Sequence, residues 1–222
     1  MLTGLVPASA RVAEAFGDDT PGRLFPVEEA IVSRAVERRR REFATARHLA
    51  REALAKLGVA PQPLPSGPNR EPLWPPGIVG SITHCEGYRA AVVAWQQDLA
   101  SLGIDAEPHA PLPGGVLGTI ALPAEQHRLA GLAAADPARC WDRLLFCAKE
   151  SVYKAWFPLA RRWLGFADAD ITFDPAAATF TATLLVPGPA VGGSTVGAFR
   201  GNFTVGRGLI VTAVSVPAPG PE

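Results

Sequence analysis

Two proline- and glycine-rich stretches, residues 61–77 and 108–115, constrain this chain more than any other feature. Neither a helix nor a central strand runs through such a stretch, because proline lacks the backbone N–H and glycine costs backbone entropy. The chain is therefore cut into short blocks. Residues 1–26 are rich in small side chains and read as irregular. A long helix is expected over 28–57, with Phe43, Ala46, Ala50, Ala53, Leu54 and Leu57 at helical spacing and Gly58 and Pro61 ending it. Arg40, Arg47 and Arg51 fall on one edge of that helix, set apart from its apolar stripe. Beyond the 61–77 loop, strands are expected at 78–83, 88–95 and 102–107.

The second stretch marks a boundary, with one half at 1–108 and the other at 109–222. The order of the first half then repeats. Asp136 has the character of an N-cap with Pro137 at the first helical position, so a helix is expected to reach Phe157 and stop before Pro158. Strands follow at 169–174, 178–186 and 195–217, the last a hairpin, and the tail 217–222 is expected to be disordered. Helix then strands, twice, predicts an α+β fold of two similar halves, although no internal repeat is strong enough to prove duplication.

Charge and cysteine usage narrow the function. Lys plus Arg number 21 and Asp plus Glu 21, so the net charge is zero, which argues against a dedicated nucleic-acid binder. Arg38, Arg39, Arg40, Arg41, Arg47 and Arg51 nevertheless crowd into one short stretch. Cys85, Cys140 and Cys147 form no CxxC pair, so neither a disulfide framework nor a zinc site is expected, and a reducing cytoplasm fits. Ala8-Ser9-Ala10 has the small residues of a signal-peptidase site, but no Lys or Arg precedes it and the apolar run is short. No apolar stretch approaches the length of a membrane span.

Four constellations carry chemistry. In Gly103-Ile104-Asp105-Ala106-Glu107, strand geometry sends Asp105 and Glu107 to the same face. Two adjacent carboxylates repel unless a cation joins them, and a hard divalent ion such as magnesium takes oxygen ligands. Taken alone, such alternation is also the ordinary mark of a strand with one solvated face. In Lys149-Glu150-Ser151-Val152-Tyr153-Lys154, Glu150 and Lys154 lie one helical turn apart. They read either as a surface pair or, given apolar Phe146, Val152, Trp156 and Phe157, as partly buried charge. Gly80-Ser81-Ile82-Thr83-His84-Cys85 ends a strand with donors suited to phosphate, or places a core histidine against a carbonyl. His84 and Cys85 point to opposite faces, which argues against a thiol nucleophile. Arg40 and Arg47, with Arg70 in the loop beyond, suit bidentate phosphate binding or form a solvated face.

In this order, across residues 38–166, the motifs resemble the Sfp/EntD-type 4′-phosphopantetheinyl transferases. Pro72-Leu73-Trp74-Pro75 and Phe157-Pro158-Leu159 look like the actinobacterial members. The resemblance implies two α+β halves about a pseudo-two-fold axis, with coenzyme A in the cleft between them. It implies magnesium, or manganese in its place, on Asp105, Glu107 and Glu150. It places Arg39, Arg40, Arg47, Ser81, Thr83, His84 and Lys154 at the coenzyme A phosphates, with Arg70 standing where relatives often have lysine. Phe146-Cys147-Ala148 departs from the tryptophan found shortly before the Lys-Glu pair in many relatives, and Ala106 from the polar residue some have between the carboxylates.

The implied reaction moves 4′-phosphopantetheine to a serine of an acyl or peptidyl carrier protein and releases 3′,5′-ADP. Glu150 is the candidate base, Lys154 stabilises leaving-group charge with help from Lys149, and Asp105 completes the catalytic set. Arg161 and Arg162, flanked by Phe157, Leu159, Trp163 and Phe166, read either as the carrier-docking patch or as arginines beside core aromatics. A cytoplasmic monomer with no nucleic-acid or membrane partner is expected. The rivals are an inactive coenzyme A-binding regulatory module, a magnesium-dependent nucleotide hydrolase and a nucleic-acid binder; the intact Asp105, Glu107, Glu150 and Lys154 set speaks against the first.

Overall fold

The computed structural model describes residues 1–17 and 22–220. A 3₁₀ turn at Leu2–Leu5 leads into strand β1 (Arg11–Ala15). Helices α1 (Pro26–Val32) and α2 (Glu37–Ala55) follow, then strands β2 (Ile78–Cys85), β3 (Tyr88–Trp95) and β4 (Leu99–Pro108). Helices α3 (Val116–Ile120), α4 (Pro123–Ala135) and α5 (Trp141–Ala160) come next, the last followed by a 3₁₀ turn at Phe166–Asp168. The chain closes with strands β5 (Ala169–Asp174), β6 (Thr179–Leu184), β7 (Ala190–Val191), β8 (Ser194–Thr195), β9 (Ala198–Gly206) and β10 (Leu209–Pro217). Among the described residues no helix is long and apolar enough to cross a membrane.

Burial stacks these elements in four layers. Helix α2 packs Leu49, Ala50, Ala53 and Leu54 on Ile78, Ala91 and Val93 of an antiparallel sheet ordered β1-β3-β2. The opposite face of β3, through Ala90, Val92 and Ala94, meets Ile104 and Ala106 of β4 and Val211 and Ala213 of β10. These strands belong to a second antiparallel sheet ordered β4-β10-β9-β6-β5. Its far face, including Phe180, Phe199 and Val214, is covered by Leu144, Ala148, Val152 and Trp156 of α5. Both sheets are thus covered on two faces, which is why β3 is buried from Tyr88 to Ala94 rather than alternating. The β9–β10 hairpin turns through Arg207 and Gly208, at φ 55° and 74°, the left-handed pair that matches strand twist in a two-residue loop.

Edge strands β2 and β4 meet without a ladder. The Ser81 hydroxyl accepts from the Ile104 N–H at 3.1 Å, and the Thr83 hydroxyl accepts from the Ala106 N–H at 3.0 Å. Two side chains of β2 thereby satisfy the outward donors of β4, where an edge would otherwise be left open.

Several expectations need correction. The 28–57 helix is two helices: the Ser33 hydroxyl bonds back to the Ala30 carbonyl at 2.9 Å, and the chain is extended at Val36. The break lets α1 fold back so that buried Glu28 meets Arg51 of α2 at 2.8 Å. Asp136 is the C-cap of α4, not the start of α5, and Pro158 lies inside the last turn of α5. A proline there removes only one bond near a helix end, and Arg161 closes the helix in the left-handed conformation at φ 52°. Helices α3 and α4 were not anticipated, although Pro123 at the first position and Glu125 bonding back to the Leu122 N–H are an N-terminal signature legible in the sequence. Residues 1–17 hold a 3₁₀ turn and a strand, while 18–21 lie outside the described residues. The expected disordered tail begins at Pro217, the last residue of β10, and residues 221–222 are outside the described residues.

Candidate active site

The site forms where β4 faces α5. With Ile104 and Ala106 turned toward the first sheet, Asp105 and Glu107 point at the helix. On α5, Arg143, Glu150 and Lys154 are spaced by seven and four residues and share one stripe. Gly103 lets that stripe come close: a Cβ there would stand 2.0 Å from the Ser151 carbonyl oxygen and 2.6 Å from the Ala155 nitrogen.

Asp105, 5% exposed, uses one oxygen fully. Its Oδ1 accepts from Lys154 Nζ at 2.7 Å and from the Thr83 hydroxyl at 3.1 Å. Its Oδ2 is buried with no partner. Lys154 also donates to the Ile104 carbonyl at 3.0 Å. Burial pulls the Lys154 ammonium down, but Asp105 and then Glu150 outweigh it, so its pKa is raised and it stays charged. Glu107 is held through Oε2 by Arg143 Nη1 at 2.9 Å. Glu150 makes no hydrogen bond or ion pair among the described residues. Burial first, and Asp105 second, push both Glu107 and Glu150 above the usual carboxylate range. A buried orphan oxygen beside two carboxyls raised by a third is a site short of positive charge.

The donor set fits magnesium held jointly with a substrate. Among the described residues no group of three or more His, Cys, Asp or Glu could hold a metal ion unaided. Magnesium does not need one, since it is commonly held by one or two carboxylates, substrate phosphates and water.

A second polar cluster lies where the start of α2 meets the end of β2. Arg39 Nη1 donates to His84 Nε2 at 2.7 Å. Glu42 lies 3.6 Å from Arg39, 3.8 Å from Arg89 and 4.0 Å from His84. Burial and the Arg39 charge bring the His84 pKa down to about 4, with Glu42 opposing, so the ring is neutral at pH 7. Arg40 is exposed on α2 and Arg70 is exposed in the 61–77 loop, where its φ is 66°.

The expected arginine edge is not one surface. Arg47 and Arg51 are 4% and 9% exposed. Arg47 stacks on Phe43 at 4.4 Å and donates to the Leu64 carbonyl at 2.9 Å and the Ser66 hydroxyl at 3.1 Å, anchoring the proline-rich loop to α2. Burial lowers its pKa to about 10, which leaves it charged at pH 7. Lys149 also departs from expectation. It is 5% exposed and bonds to the Phe166 and Ala169 carbonyls at 2.6 and 2.8 Å and to Glu125 at 2.9 Å. One residue's rotation from Glu150 turns it under the 164–171 segment rather than toward Asp105. Arg47 and Lys149 are buried because planar or long cations with apolar stems bury readily when carbonyls await them.

Beside Glu150 opens a pocket walled by Tyr153, Trp163, Leu164 and Phe166. Trp163 is 73% exposed and packs on Tyr153 at 4.9 Å between centroids, whereas Phe157 is buried in the core. Arg161 is exposed, and Arg162 bonds to the Pro187 carbonyl. Thiol chemistry has no support: burial pushes Cys85 up to about 12 and Cys147 well above the usual thiol range.

Two family models match the chain. One is described as the 4′-phosphopantetheinyl transferase N-terminal domain, over residues 27–94, and the other as the 4′-phosphopantetheinyl transferase superfamily, over residues 101–189. The chain is 54% identical over 222 residues to 4′-phosphopantetheinyl transferase Svp of Streptomyces mobaraensis, covering 99% of this chain and 90% of that one. It is 47% identical over 228 residues to 4′-phosphopantetheinyl transferase PptT of Mycobacterium tuberculosis, covering 96% and 99%. Similarity to enterobactin synthase component D of Salmonella typhi is 34% over 122 residues, or 55% of this chain and 50% of the relative. The chain belongs to the 4′-phosphopantetheinyl transferase superfamily and is an enzyme of that class.

Proposed function

We propose that this enzyme transfers 4′-phosphopantetheine from coenzyme A to a serine of an acyl or peptidyl carrier protein, releasing 3′,5′-ADP. The observation that carries the reading is the Asp105–Lys154 pair, with Asp105 Oδ2 buried without a hydrogen-bond partner and Glu150 unpartnered near Asp105. Asp105 Oδ2, Glu107 and Glu150 would hold a magnesium ion, which when bound neutralises pyrophosphate charge. The serine oxygen attacks the phosphorus that bears pantetheine, and the bond from that phosphorus to the bridging oxygen of the diphosphate breaks. Glu150 takes the serine proton, directly or through one water. Lys154, held charged by Asp105, offsets charge on the departing phosphate.

Arg39 and His84 fit the 3′-phosphate end of coenzyme A, and the aromatic pocket beside Glu150 fits the uncharged pantetheine arm. Arg161 and Trp163, exposed on one loop, present charge and apolar area to an acidic carrier surface. Arg47 supports the site by anchoring the 61–77 loop.

The His84 assignment has a sign. A bound phosphate raises the pKa of a neutral His84, so binding takes up a proton at this group and its contribution to coenzyme A affinity rises as pH falls from 7 toward 5. Calorimetry in two buffers of different ionisation enthalpy at pH 6 is expected to show uptake in the wild type and none at this group in His84→Gln. Equal proton exchange in both proteins removes His84 from the phosphate site. The transfer reading itself is tested by 3′,5′-ADP release, which is expected only when an apo carrier is present; equal release without carrier is the signature of a hydrolase.

A further inference from the structure

Both strand carboxylates of the site are restrained in the same way. Asp105 gives Oδ1 to Lys154 and Thr83 and leaves Oδ2 buried without a hydrogen-bond partner. Glu107 gives Oε2 to Arg143 Nη1 at 2.9 Å, and no bond to its Oε1 is formed among the described residues. Arg143 is itself fixed: Nε donates to the Ala110 carbonyl at 3.1 Å and Nη2 to the Pro111 carbonyl at 2.9 Å. The neighbouring Asp142 accepts from the Leu112 N–H at 2.8 Å, so the first turn of α5 is stitched to the 110–112 segment that follows β4. All three nitrogens of this guanidinium are therefore engaged, and it cannot swing aside without breaking two carbonyl bonds.

Resting on the magnesium reading above, we infer that Arg143 is a specificity-determining positioning residue: by occupying Glu107 Oε2 it limits this carboxylate to one-oxygen ligation. Together with the restraint on Asp105, the strand then offers two single oxygens. A six-coordinate magnesium or manganese ion, completed by phosphate oxygens and water, is satisfied by that. Calcium takes six to eight oxygens and uses bidentate carboxylates, which the two strand carboxylates deny it, leaving Glu150 alone free to bind that way. The role is distinct from simple charge balance. Loss of a positive neighbour strengthens binding of every divalent cation, whereas release of a pinned oxygen favours the larger ion selectively.

The test uses the full chain saturated with coenzyme A and manganese as probe, beside a control of coenzyme A without protein, free Mn²⁺ being read by electron paramagnetic resonance and displaced by Mg²⁺ or Ca²⁺. In the wild type, Mg²⁺ is expected to displace Mn²⁺ more effectively than Ca²⁺. In Arg143→Gln the Ca²⁺-to-Mg²⁺ affinity ratio is expected to rise about 10-fold, the low end for removing a group that orients a metal ligand. Arg143→Lys keeps a charge at Glu107 but loses a carbonyl anchor, so the ratio moves in the same direction by less. An unchanged ratio in whichever variant keeps the wild-type circular dichroism overturns the inference. Absence of Mn²⁺ binding to the wild-type coenzyme A complex beyond that of coenzyme A without protein overturns the magnesium reading, and this inference with it.

Discussion

Glu150→Gln is expected to lower turnover by about 10²–10⁴-fold, the range for removing a positioned general base, while coenzyme A affinity measured without metal changes little. The amide keeps the size of the side chain and removes its ability to accept a proton. Because Glu150 has no hydrogen bond or ion pair among the described residues, the substitution orphans nothing, and folding stability should be nearly unchanged. The pH profile gives a second readout. A base must be deprotonated to act, so activity falls as pH drops through its pKa. The acid limb of kcat/KM that this group contributes is present in the wild type and lost in Glu150→Gln. Near-wild-type turnover at saturating magnesium would remove Glu150 as the base.

Gly103→Ala is expected to damage stability and activity together. The added methyl meets the Ser151 carbonyl oxygen at 2.0 Å and the Ala155 nitrogen at 2.6 Å, both in the backbone of α5. Neither atom can rotate away, so helix and strand must separate. Overpacking of this kind costs about 1–3 kcal/mol and occasionally more. The same displacement moves Arg143, Glu150 and Lys154 away from Asp105 and Glu107, so turnover falls further than lost folded protein explains. Gly131→Ala is the matched control. Its Cβ meets nothing within 4 Å on α4, and alanine is better than glycine in a helix by about 0.5–1 kcal/mol. Urea unfolding of both variants is expected to give shifts of opposite sign.

Local chemistry was legible where one element decided it. Strand β5 (Ala169–Asp174) falls on the residues expected, and the 195–217 segment is largely a hairpin because Arg207-Gly208 supplies its turn. The placing of Asp105 and Glu107 on one face followed from strand alternation alone. What that face meets was not legible, since α5 is brought over it by contacts far apart in sequence. The same limit explains Arg47, Arg51 and Lys149. None of them shows its partner within its own helix, and each is buried because a carbonyl or carboxylate from a distant segment completes it. Arg143 went unnoticed because its partners, Glu107, Ala110 and Pro111, lie across the expected boundary between halves. Ser81 and Thr83, expected at the coenzyme A phosphates, use the same hydroxyls to accept from the backbone of β4.

The most direct measurement is the intact mass of an apo carrier protein after incubation with the enzyme, coenzyme A and magnesium. A gain of one phosphopantetheine arm is expected, absent without metal and absent on the same timescale with Glu150→Ala. No gain on fatty-acid, polyketide or peptide carriers, with coenzyme A binding verified independently, would contradict the account.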